Sequence, residues 1–172
     1  MTTRLRLRTY GDPCLRKVAR PVSVVGPAER LLIREMVAAM YAFDGTGLAA
    51  SQVGVLEMIF VADIGEGPFA IINPQIIHRS GKQTVMEEGC LSFPEIFAEI
   101  SRPGTVDVRA LDAKGKPISF RCGGLLARAV QHETDHLNGI LFIDRMTKKT
   151  KEEIRDELNA LQAATKAELK KK

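Results

Sequence analysis

His132 and His136, four residues apart and with Glu133 beside the first, are the side chains best suited to chemistry in this sequence. On an α-helix this spacing puts both imidazoles on one face, where they can grip one metal ion, and Glu133 can reach a water on that ion as a general base. Leu125 and Ala129 fall on the same helical face, so the histidines are expected to point inward, and an inward imidazole needs a partner. Two histidines leave a divalent ion short of protein ligands. No histidine follows His136, and the downstream acids Glu152, Glu153, Asp156 and Glu157 share a stretch dense in Lys and Arg that reads as a solvated face. Upstream, Cys90 in Glu88-Gly-Cys-Leu-Ser92 is the better third ligand. The preceding glycine lets the backbone turn tightly, and a thiolate binds metals strongly once its proton is displaced. Cys14 and Cys122 read as small buried hydrophobes, and His78 stands alone near a strand end.

A third segment, Gly45-Thr-Gly-Leu-Ala-Ala-Ser-Gln52, lacks the Gly-Lys-Ser/Thr of a phosphate-binding loop. Its small residues suit either a closely packed loop that ends a helix or a backbone that approaches a substrate, with Gln52 offering an amide N–H to a developing oxyanion.

Several elements must carry these groups. Leu5 and Leu7 alternate with arginines over residues 4–8, the pattern of a short half-exposed strand. Pro27 opens a helix in which Leu31, Leu32, Met36, Ala39, Met40 and Phe43 recur at helical spacing, with Arg30 and Arg34 on the other side. Short strands are expected over 57–62, 70–73, 75–79, 83–87, 105–111 and 117–121, separated by turns at 65–68, 73–74, 80–81, 103–104 and 112–115. Gly123-Gly124 leads into the histidine helix, Leu125 to about Leu137, which Asn138-Gly139 stops. A last helix covers about 148–168, with Ile154, Leu158 and Leu161 as its apolar stripe. A helix, a run of strands and then helices indicates an α+β domain with antiparallel or mixed sheets, not the alternation of a doubly wound fold.

Taken together, Gly45–Gln52, Glu88–Ser92 and His132–His136 resemble, in order, the three motifs of the peptide deformylases. Tyr10-Gly-Asp-Pro13, Asn73-Pro74, Arg102-Pro103 and Gln131–Gly139 are also similar to that family, so the likeness covers nearly all of residues 4–146. The resemblance implies short-stranded sheets packed around a central metal-binding helix, with helices at both ends. It implies removal of the N-formyl group from formyl-methionyl nascent peptides, with release of formate. One divalent ion would be held by Cys90, His132 and His136: Fe(II) natively, with Zn, Ni or Co accepted in preparations. Water on the metal would attack the formyl carbon. Glu133 would take its proton and pass it to the leaving amine, while Gln52 and the Leu91 N–H would hold the oxyanion. Met86, Leu125 and Ala129 would form the methionine pocket, Gly45, Thr46 and Gly47 would meet the peptide backbone, and Glu88 and Arg102 would pair behind the Cys loop. Thr46 stands where the family usually has an aliphatic residue, Glu95 where Gly is frequent, and Phe97 where Tyr or Arg is frequent. These departures bear on fine specificity rather than on the reaction. A metallopeptidase would need a third ligand downstream of His136, and Cys90 in its loop argues against that rival.

The chain has 172 residues, 45% hydrophobic and 27% charged, which fits one globular domain. No apolar run approaches the roughly 20 residues of a membrane span, and the N-terminus has no apolar segment of a secretory signal. An odd count of three cysteines points to a reducing compartment, here the cytoplasm. The net charge of +4 is uneven. Residues 1–144 carry sixteen charges of each sign, whereas 145–172 carry nine basic and five acidic residues. A nucleic-acid-binding module is therefore disfavoured by a neutral body with two Tyr and no Trp. The expected layout is a catalytic unit over 1–147 and a basic C-terminal helix of the same domain over 148–172. That helix either aids solubility or docks the enzyme on ribosomal RNA. A monomer is expected.

Overall fold

A strand with both faces covered must be apolar throughout, and Ile59-Phe-Val-Ala62 is buried at every position. A computed structural model, describing residues 5–171, places it as β2 near the middle of the molecule. β1 (Gly47–Ala49), β2, β3 (Phe69–Arg79), β6 (Thr105–Leu111) and β7 (Pro117–Gly123) form one antiparallel sheet in the order β1-β2-β3-β6-β7, which leaves β1 at an edge. Ile59 and Val61 face α1 (Pro27–Ala42), where Ile33, Met36, Ala39 and Met40 make the inner stripe. Phe60 and Ala62 face the opposite way, onto Ala127, Val130 and Leu137 of α2 (Gly124–Leu137). A separate two-stranded ribbon, β4 (Gln83–Cys90) and β5 (Phe93–Pro103), lies beyond α2. Its Phe93, Ile96, Ala98 and Ile100 pack with Leu141, Phe142, Ile143 and Leu158. The layers are thus helix, sheet, helix and ribbon, and the helix that carries both histidines is enclosed between the two β-structures. The fold is α+β with antiparallel sheets, as the order of elements indicated.

Four expectations change. The described part of the 4–8 segment, from Leu5 on, forms no strand (Arg4 lies outside the described residues); instead the Arg8 N–H donates to the Gln52 carbonyl and the Tyr10 N–H to that of Ser92. The two strands expected on either side of Asn73-Pro74 are one, β3, interrupted by a register shift. Asn73 takes a left-handed φ of 52°, and its side-chain amide pairs with both backbone groups of Val22. Leu31 lies on the solvent side of α1, 49% exposed. The C-terminal helix is divided at Ile154 into α3 (Lys148–Glu153) and α4 (Arg155–Leu169).

The C-terminal segment is part of the core and not a loose tail. Leu158 is 5% exposed, Ile154 and Leu161 pack beside it, and the Thr165 and Thr9 hydroxyls hydrogen-bond at 2.7 Å. Leu158→Ala removes buried apolar volume and is expected to cost about 2–4 kcal/mol of stability. Urea denaturation checks this, and a loss below about 0.5 kcal/mol, the range of ordinary surface substitutions, would show that α4 is not docked.

Candidate metal centre

Cys90 ends β4, and the ladder slips there: Gly89 pairs with Phe97, but Cys90 pairs with Phe93. The slip turns the thiol toward α2. Cys90 Sγ lies 3.2 Å from His136 Nε2, which in turn lies 3.2 Å from His132 Nε2. All three donor atoms fall within 4.8 Å of one another. Two nitrogens bound to one tetrahedral ion at 2.0–2.1 Å would stand about 3.3 Å apart. The donor set and its spacing therefore fit one divalent ion, with one position left for a non-protein ligand.

Glu88 holds this arrangement together. Its carboxylate accepts from Arg102 Nε (2.6 Å) and Nη2 (2.9 Å), from Arg128 Nη1 (2.8 Å), and pairs with His132 Nδ1 (2.9 Å). The bond to Nδ1 leaves Nε2 of His132 facing the cysteine, as a metal ligand requires. Burial disfavours ionising Glu88, but hydrogen bonds from His132 and Arg102 outweigh it and hold the carboxyl well below the usual range. Arg102 continues to Asp135 at 2.7 Å, and Asp135 accepts from Arg145 at 2.7 Å.

Glu133 sits across the centre. Its Oε2 is buried with no hydrogen-bond partner among the described residues, and burial pushes the carboxyl up to about 7. Gly47 makes room for it, since a Cβ at that position would collide with the carboxylate. Gln52 is fixed at its oxygen by the Ala49 N–H (2.8 Å). Its Nε2 reaches Ser92 Oγ (3.2 Å) and Cys90 Sγ (3.5 Å), so the amide donor faces the thiol.

These groups lie at the floor of a cleft of about 1000 Å³. Gly45, Thr46, Gly47, Met86, Leu125 and Ala129 line it together with Leu91, whose side chain lies against Gly45. His136 sits behind this lining, 1% exposed. Every residue expected at the site from the sequence therefore lies in the cleft or in the network behind it. One reason given for the inward histidines is corrected: Leu125 is 58% exposed, because the first turn of α2 emerges at the cleft rim. Glu95, at a left-handed φ of 61°, and Phe97, whose ring covers Gly89, also lie on the rim. Sequence reasoning missed Arg128, Asp135, Arg145 and Ser92. The available signal for Arg128 was its position one helical turn before His132, on a face that has to be buried.

Fold and site define the class as an α+β hydrolase built on a His-Glu-x-x-His helix. The chain belongs to the polypeptide deformylase family, whose sequence model matches residues 4–152. A peptide deformylase of Thermotoga neapolitana is 50% identical over 82% of this chain and 86% of its own length. Among solved structures, a plant peptide deformylase PDF1B superposes with a TM-score of 0.92 at 38% identity, covering 98% of this chain and 94% of that one. A peptide deformylase from Synechococcus elongatus in complex with actinonin gives 0.84 at 40% identity, covering 95% and 87%. The chain is an enzyme of this family.

The charge network predicts a large asymmetry between buried and exposed pairs. Glu88→Ala removes the carboxylate shared by two buried guanidiniums, leaving Arg102 with Asp135 alone and Arg128 with no anion among the described residues, and is expected to cost about 3–5 kcal/mol in urea denaturation. Arg121→Ala, breaking the exposed pair with Asp107, should leave the midpoint unchanged. Equal effects would contradict the role given to Glu88.

Proposed function

We propose that this enzyme removes the formyl group from N-terminal formylmethionine of nascent polypeptides and releases formate. The observation that carries the reading is the convergence, at the floor of one apolar cleft, of a Cys-His-His group, a buried carboxylate with one unpartnered oxygen and an amide donor. Cys90, His132 and His136 would hold one divalent ion. Fe(II) is the native ion that the family resemblance implies, and Zn, Ni or Co suit the same donors. When bound, the ion supplies a Lewis acid and lowers the pKa of a water in its open position.

The remaining work falls to the protein. Glu133 takes a proton from the attacking water and delivers it to the amine of the departing peptide. Gln52 Nε2 and the Leu91 N–H donate to the oxyanion as the formyl carbon becomes tetrahedral. Met86, Leu125 and Ala129 accept the methionine side chain. β1 supports the peptide-binding part of this reading, because an edge strand at the cleft wall can pair with an extended chain, and Gly45, Thr46 and Gly47 expose backbone there.

Working on chains as they leave the ribosome puts the enzyme in the cytoplasm. All of its site residues come from one chain, so a monomer suffices. We further propose that Lys166, Lys170 and Lys171, exposed on and just after α4, contact ribosomal RNA. Replacing these three by alanine should weaken salt-dependent co-sedimentation with ribosomes and spare turnover of short peptides. Unchanged co-sedimentation would remove this partner.

For the reaction itself, Glu133→Ala should keep its metal and lose about 10²–10⁴-fold in formate release from a formyl-Met tripeptide, the range of a lost general acid–base. Activity within threefold of the parent protein would overturn the assignment.

A further inference from the structure

We propose that Arg128 is a positioning residue for the metal centre, setting the ribbon that carries Cys90 against the helix that carries His132 and His136. Among the described residues the ribbon β4–β5 shares no ladder with the larger sheet, so beyond its chain connections to β3 and β6 its placement against α2 falls to side chains. Arg128 provides the most extensive of these links. It leaves α2 one turn before His132 and is 8% exposed. Its Nη1 donates to Glu88 Oε1 (2.8 Å) and to the Ile100 carbonyl (2.9 Å). Its Nη2 donates to the Thr84 carbonyl (2.8 Å) and to Thr84 Oγ1 (3.2 Å). One planar group thus grips both strands of the ribbon and the carboxylate that orients His132.

Arg102 cannot replace it. Arg102 belongs to β5 and crosses to α2 only at Asp135, on the next helical turn. Gln131 adds a single bond to the Pro103 carbonyl at the far end of the ribbon. Without Arg128, neither Thr84 nor the Ile100 carbonyl keeps a bond to α2 among these contacts, and Arg102 alone ties this part of the ribbon to the helix, at Asp135. Cys90 lies two residues beyond Glu88 on the same strand, so movement of the ribbon moves the thiol relative to both imidazoles. A lysine is a single point charge and cannot span these four acceptor atoms on three residues as a planar guanidinium fork does.

The inference rests on Cys90, His132 and His136 being ligands. It is tested on the full-length zinc-loaded protein by the rate at which zinc passes to a chromogenic chelator. Arg128→Met should release zinc about 10–100-fold faster, the usual effect of losing support behind a ligand. Arg128→Lys should be intermediate, and it stands in if the methionine variant does not fold. Ile33→Ala, which lowers stability from the distant α1 core, should release zinc at the parent rate, separating positioning from general destabilisation. Release from both Arg128 variants within threefold of the parent protein, or equal acceleration by Ile33→Ala, would overturn the inference. Cys90→Ala should lose zinc faster than any of these; if it held zinc as the parent does, the ligand assignment itself would fall, and this inference with it.

Discussion

One buried carboxylate, Glu88, is the group on which the rest of the site depends. A charge out of water is tolerated only when it is paired and hydrogen-bonded, and Glu88 is met by two guanidiniums and an imidazole. The three partners come from different places: Arg102 from the ribbon, Arg128 and His132 from the central helix. Satisfying this one anion therefore fixes how two otherwise separate elements meet. The slip at Gly89–Cys90 then turns the thiol toward His136 and toward His132, the imidazole that the same carboxylate orients. The network does not end there, since Asp135 ties Arg102 to Arg145 and joins the helix to the start of the C-terminal segment.

Layering supplies the second constraint. α2 has a sheet on one side and the ribbon on the other, so nearly all of its last three turns is buried. That enclosure buries Glu133 and leaves its Oε2 without a hydrogen-bond partner among the described residues, while Leu125 and Ala129, in the first two turns of the helix, line the cleft. Edge strand β1 completes the cleft with residues small enough for close approach. At Gly47 any side chain would displace the carboxylate.

The motifs that meet in the candidate site were legible in the sequence because their meaning is local. The spacing of His132 and His136 is a property of one helix, and Cys90 and Gln52 lie in short segments of distinctive composition. Helices α1 and α2 were legible from apolar periodicity and turn residues. What escaped depends on tertiary pairing. β5 was not expected, because Phe97 faces out between buried Ile96 and Ala98, which blurs the strand alternation, and Glu95 breaks the backbone pattern with a left-handed φ. Leu5 and Leu7 alternate like strand residues, yet the described residues there form no strand, and Arg8 and Tyr10 instead make single backbone bonds to the loops of Gln52 and Ser92. Arg128 read as an ordinary helical charge, since nothing local shows that its acceptors lie 28 to 44 residues away.

If the buried network brings one thiolate and two imidazoles onto a single ion, X-ray absorption at the metal edge of the zinc-loaded protein should find one sulfur near 2.3 Å and two nitrogens at about 2.0–2.1 Å, with one further light atom. A first shell of nitrogen and oxygen with no sulfur would contradict this arrangement.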